Sequence, residues 1–145
     1  NTADTGLVVN GNNVTAYGLF VEHYQKYEVI WNGNGGSVTF FQNEMPYDVP
    51  SQAAWMEARG VNGYPAFKVA NFVKSFNGYG MGSYSFFNQG VDIFAANAFE
   101  VPTGLAAGSL PGGGPDGLRR RRRPRRTRAA PRALALLTDD VQPTA

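Results

Sequence analysis

Two glutamates, Glu22 and Glu44, each close an apolar-aromatic run, VTAYGLFVE (14–22) and SVTFFQNE (37–44). Each run follows the same pair of residues, Asn10-Gly11 and Asn32-Gly33, and both the asparagines and the glutamates are 22 residues apart. If the chain winds with that period, equivalent side chains stack one strand spacing apart, roughly 4.8 Å. Two carboxylates so close are not readily both charged, so one is expected to keep its proton. A proton-bearing carboxyl beside an ionised one is the equipment for acid-base cleavage of a glycosidic bond. Solvated strand-end glutamates that splay outward satisfy the same spacing without any chemistry.

The elements that must position this pair read as short strands between Asn/Gly turns: LVVNG (7–11), VTAYGLFVE, EVIWNG (28–33) and SVTFFQNE. A shift of 22 aligns Val8–Gly11 with Ile30–Gly33, whereas Val14-Thr15 meets Val38-Thr39 only with a two-residue slip. That slip predicts a turn of altered length. A period in the low twenties suits one coil of a parallel β-solenoid, in which Asn10 and Asn32 form an amide ladder. An antiparallel sandwich has hairpins at similar spacing and stays open on this evidence. A leucine-rich repeat needs a leucine framework that is absent.

Beyond Glu44, MPYDVPSQAAWMEARGVNGYP (45–65) carries three prolines, which argue for a loop rather than a continuing central strand. SQAAWMEA (51–58) predicts a short helical turn capped by Ser51. Tyr47 and Trp55 either offer flat faces to a sugar or pin the loop down, Tyr64 reads as structural, and Asp48 and Gln52 are candidate partners for hydroxyl groups. AFKVANFVKSF (66–76) resumes a strand pattern, a further strand is predicted over Gly82–Phe87, and DIFAANAFEV (92–101) supplies another strand or turn pair. The glycines at 78, 80 and 82 lack the rest of a phosphate-binding motif and read as a close backbone approach. His23, the single histidine, follows Glu22 and by strand alternation points to the opposite side, as a packed interior or rim residue. One histidine cannot complete a Ser-His-Asp set, and no metal-ligand cluster is evident.

The formal charge of +2 conceals a break in composition near Thr103. Residues 1–103 carry four basic and eight acidic residues, giving −4, whereas 104–145 carry nine arginines and three aspartates, giving +6. Every Phe, Tyr and Trp lies in the first part. The second part draws 27 of its 42 residues from Gly, Ala, Arg and Pro, and is expected to be a disordered tail. Its arginine run would attract polyanions in vitro, but no specific nucleic-acid partner is expected. Out-of-frame translation of a GC-rich gene yields this residue mixture, so a frameshift near 104–110 is the expected origin. The chain has no cysteine, hence no disulfide framework, and no run long enough to cross a membrane as a helix.

The stretch NTADTGLVVNGNNVTAYGLFVEHYQKYEVIWNGNGGSVTFFQNEMPYDVPSQAAWM, and within it FFQNEMPYD with the upstream VEH, resembles glycoside hydrolase family 55, the laminarinase-like exo-β-1,3-glucanases. The resemblance runs from Asn1 to about Thr103. It implies an all-β, right-handed parallel β-helix of the pectate lyase-like superfamily, of which this chain holds part of the second of two tandem helical domains. It implies inverting hydrolysis of β-1,3-glucan without a cofactor, Glu44 matching the general acid and Glu22 a second carboxylate that helps order the water. A secreted parent protein is expected, with this fragment inactive on its own and the preceding helical domain missing. A non-catalytic carbohydrate-binding solenoid and a polysaccharide lyase on the same scaffold are the alternatives.

Overall fold

The computed structural model describes residues 1–105 and the backbone of 133–136. Among these residues the chain is all-β, apart from one 3-10 turn over Gln52–Ala54 that Ser51 caps as expected, its Oγ accepting the Ala54 N–H at 3.3 Å. The strands are β1 (Thr5–Val9), β2 (Thr15–Phe20), β3 (Tyr27–Trp31), β4 (Gly36–Glu44), β5 (Met56–Ala58), β6 (Val61–Asn62), β7 (Phe67–Val69), β8 (Phe76–Ser85), β9 (Phe99–Glu100) and β10 (Ala133–Leu136). Of the two larger sheets, one has the order β1-β3-β7-β9 and the other β2-β4-β8-β10, while β5 and β6 form a small antiparallel pair of their own. From β1 to β4 the chain alternates between the two sheets, and it does so again from β7 to β9. Each return adds a strand parallel to the last. Hairpins of a sandwich would pair antiparallel, so that alternative falls, and the arrangement is consistent with a pectate lyase-like β-helix.

The first two coils are in register at 22 residues throughout. Leu7 pairs with Val29, Val9 with Trp31, Thr15 with Ser37 and Phe20 with Gln42. The expected two-residue slip does not occur, since Ala16 lies opposite Val38 and Tyr17 opposite Thr39. Similar residue types suggested the slip, but the backbone ladder keeps its count because one residue of slippage would turn every buried side chain outward. The amide ladder is present: Asn32 Nδ2 donates to Asn10 Oδ1 at 2.8 Å, and the Asn34 N–H donates to Asn12 Oδ1 at 2.9 Å. At Gly33 an added Cβ would lie 1.8 Å from the Gly11 carbonyl oxygen, so the coils approach too closely there for any side chain.

The core lies between the two sheets. Trp31 and Phe67 of one sheet meet Phe41 and Phe76 of the other, with ring centroids 5.1–5.5 Å apart. Val29, Val38 and Val69 are fully buried beside them. The segment 45–65 leaves the winding and builds a smaller core of Met45, Val49, Trp55, Ala66, Phe87 and Ile93. Two other sequence expectations change. A single strand, β8, runs through Gly78, Gly80 and Gly82 where a later start was expected, and it ends at Ser85. Ala133–Leu136, assigned to the disordered tail, pairs antiparallel with β8, because a short apolar run can add to the strand's open backbone edge. The rest of the tail and the proposed frameshift junction beyond Leu105 lie outside the described residues.

Phe67 touches three aromatic partners and is 2% exposed, whereas Phe72 is 62% exposed. Phe67→Ala is expected to cost about 3–5 kcal/mol, and Phe72→Ala no more than about 0.5 kcal/mol, in denaturant titrations of the chain. Equal losses at both positions would remove this core from the fold.

Candidate active site

The outward position of Glu44 follows from a kink in β4. Val38, Phe41 and Asn43 are buried, whereas Thr39 and Phe40 are exposed and Gln42 and Glu44 half-exposed. Strict alternation from Val38 would send Glu44 into the core. The alternation resets at Phe40, whose φ of 64° is left-handed. Gly18 and Gly80, at the same level of β2 and β8, have φ of 62° each, so the kink is stacked through three strands. After it, Leu19, Phe41 and Met81 turn inward, with Phe41 and Met81 fully packed.

Although β2 ends at Phe20, its ladder with β4 continues. The Val21 N–H donates to the Gln42 carbonyl at 3.3 Å, and the His23 N–H to the Glu44 carbonyl at 2.8 Å. Glu22 therefore stands level with Glu44 on the next rung, as the spacing predicted. Glu22 is exposed, and its Oε1 accepts from Gln42 Nε2 at 3.3 Å. The Glu44 side chain is 31% exposed, and its Oε2 takes two donors: the Tyr47 hydroxyl, and His23 Nε2 at 3.2 Å. The Tyr47 ring is packed edge-on between His23, at 4.5 Å, and Phe86, at 5.4 Å.

His23 corrects the sequence reading. It is neither interior nor turned away from the acidic pair, but 48% exposed and directed at Glu44. Alternation failed as a guide because His23 lies beyond the strand, with φ of 64°. Nothing in the sequence marks that backbone conformation for a histidine.

The sequence reading also passed over Glu28. It is completely buried on β3, and both carboxyl oxygens accept the Tyr24 N–H, at 3.2 and 3.3 Å. Burial pushes its carboxyl up to about 8, partly opposed by the Tyr24 N–H and reinforced by the charge of Glu22. A fourth acidic group, Glu57, lies in the loop and accepts from the Tyr27 hydroxyl at 3.0 Å. Lys68 links Glu57 to Glu100, which it reaches at 3.0 Å. Burial pushes the Tyr27 hydroxyl up to about 12, and its bond to Glu57 adds to this. This network ties the loop to β7 and β9.

Trp55 is not a sugar platform. It is 3% exposed, packs on Phe87 and Tyr64, and its Nε1 donates to the Gln25 carbonyl at 2.9 Å. Prolines suggested an open loop, but the segment folds onto its own core and the tryptophan pins it. Gln52 is likewise occupied, donating to the Trp55 carbonyl at 3.0 Å and accepting from the Phe94 N–H at 2.7 Å. Tyr64 packs on Tyr27 and Trp55, as its structural reading anticipated. Asp48 is exposed, four residues after Glu44 and directly after Tyr47 in the chain. Of the loop candidates, the structure brings Tyr47 to Glu44 and keeps Trp55 and Gln52 in the loop's framework. Among the described residues, no group of three acidic or histidine side chains is placed to hold a metal ion.

Comparison with known proteins adds three likenesses. Residues 1–44 match the LAM55 pectate lyase-like domain. An exo-β-1,3-glucanase of Streptomyces sp. (strain SirexAA-E / ActE) is 48% identical over 102 residues, which are 70% of this chain and 17% of that protein. The chain thus spans about a sixth of the relative's length. Two structures of sacteLam55A from Streptomyces sp. SirexAA-E superpose with a TM-score of 0.69 over 76% of this chain and 19% of theirs, at 44% and 45% identity. One of them is a glutamate-to-alanine variant in complex with glucose.

Glu28 provides a test of the site's electrostatics. Its proton is held more tightly in the folded protein than in the unfolded chain, where the ordinary value is 4.5. The resulting stability is full below about pH 4.5, declines as pH rises, and is gone above about pH 8. The melting temperature is expected to fall between pH 5 and 8, and Glu28→Gln should flatten that slope. An unchanged slope in the variant would show that Glu28 is not the group responsible.

Proposed function

Starting from a chain whose sequence, family match and fold are of the family 55 laminarinase type, we propose that it forms part of a secreted enzyme that hydrolyses β-1,3-glucan. Its scaffold in this reading is a right-handed parallel β-helix, and Glu44 is the general acid. The observation that carries the reading is the outward, half-buried Glu44 gripped on one oxygen by Tyr47 and His23, one rung from Glu22. Two donors on Oε2 fix the rotation of the carboxyl group, so a proton on Oε1 can be aimed at the leaving oxygen of a glycosidic bond.

Glu22 is the second carboxylate and helps to order water. Inversion requires roughly 6.5–9.5 Å between carboxyls, whereas adjacent rungs are roughly 4.8 Å apart. Divergence of the two side chains meets that requirement. Their different partners support it: Glu22 is held by Gln42, and Glu44 by Tyr47 and His23. Tyr47 also lines the substrate side of the acid, with Asp48 next to it to receive sugar hydroxyls.

The test places this chain's segment in the Streptomyces exo-β-1,3-glucanase in place of its counterpart. Glu44→Gln is expected to lower laminarin hydrolysis by about 10²–10⁴-fold while laminarin binding is retained. Hydrolysis at the parent rate would eliminate Glu44 as the acid. Laminarin binding without turnover, in a graft with Glu44 intact, would support the carbohydrate-binding solenoid instead.

A further inference from the structure

Phe40 occupies a left-handed backbone position that its stacked equivalents fill with glycine, Gly18 and Gly80. A large residue is strained in that region, and such strain persists where the surroundings or a function require the side chain. Packing does not require this one. Phe40 is 51% exposed, and its ring contact is with Phe20, itself 56% exposed, at 5.5 Å. Tyr17 and Tyr79, which flank Thr39 on neighbouring strands, are also exposed. The outer face of β2, β4 and β8 therefore presents four aromatic rings on one surface.

The surface is neutral. Across these three strands the only charged residue is Glu44, at the end of β4. Aromatic rings interspersed with hydroxyl and amide groups, Thr39 and Gln42 among them, suit a neutral polyhydroxylated polymer. They do not suit a nucleic acid or an anionic membrane, which would need cations. Phe40 precedes Glu44 by four residues on one strand, a separation of roughly 13 Å along β4. The ring surface thus runs directly into the candidate acid site.

We propose that Phe20 and Phe40, with Tyr17 and Tyr79, form a stacking platform that holds a β-linked glucan chain leading to Glu44. The choice of occupant rests on the glucan reading above. The left-handed conformation at Phe40 holds its ring outward on this surface.

The experiment compares the full 145-residue chain, Phe40→Gly and Glu44→Gln by native gel electrophoresis with and without laminarin, alongside thermal melts. Laminarin should retard the parent chain and Glu44→Gln alike. In Phe40→Gly the apparent Kd should rise about three- to tenfold, the loss of one aromatic contact, with a melting temperature equal to or above the parent's. No retardation of the parent, equal retardation of Phe40→Gly, or a lower melting temperature in that variant would overturn the platform. So would a change in self-association without a change in laminarin binding, which would assign the face to a second copy. If the chain alone does not fold, the graft decides: Phe40→Gly should raise KM for laminarin three- to tenfold with kcat within about twofold, and an unchanged KM overturns the proposal. Binding is read here without turnover, so a failure of Glu44 as the acid leaves the platform standing, and a failure of the platform leaves Glu44 standing.

Discussion

The parallel pairing of one coil on the next, held at 22 residues, is the constraint from which the other features follow. Parallel strands exchange evenly spaced hydrogen bonds, so the register set at Leu7–Val29 is still in force at Phe20–Gln42. Whatever one coil does at a given level, its neighbour must match. Asn10 obliges Asn32 to stack on it, the Gly11 carbonyl leaves no room for a side chain at Gly33, and the left-handed kink appears in three consecutive strands. The insertion at 45–65 breaks the count of 22 in the next coil but keeps the parallel pairing. Val29 pairs with Phe67, and Gly36 with Phe76, in the same parallel sense.

The parts of the structure that depend on period alone were legible in the sequence. The Asn-Gly pairs and the two glutamates gave the 22-residue winding, the amide ladder and the shared level of Glu22 and Glu44. Features that depend on backbone conformation at single residues were not. Gly18, Phe40 and Gly80 share one dihedral region but not one residue type, so the kink that turns Glu44 outward had no common signature. His23 was misplaced for the same reason. Trp55 and Glu28 illustrate a different limit. A tryptophan in a proline-rich loop and a glutamate heading a strand show their roles only once something covers them, here the loop's own core and the turn at Tyr24.

The winding also sorts three glutamates into three environments within two coils. Glu22 is exposed beside an amide, Glu44 is half-buried and gripped by two donors, and Glu28 is sealed in and favours its neutral form. Acid-base chemistry of the kind proposed uses two carboxyls in different surroundings. Stacking of parallel coils by itself works against that difference, since it repeats the same surroundings at every rung. The departures from strict repetition supply it: the loop that begins after Glu44 delivers Tyr47, the left-handed turn after Glu22 delivers His23, and neither has a counterpart on the other rung. A regular winding therefore sets the carboxyls side by side, and its irregular exits make them chemically distinct.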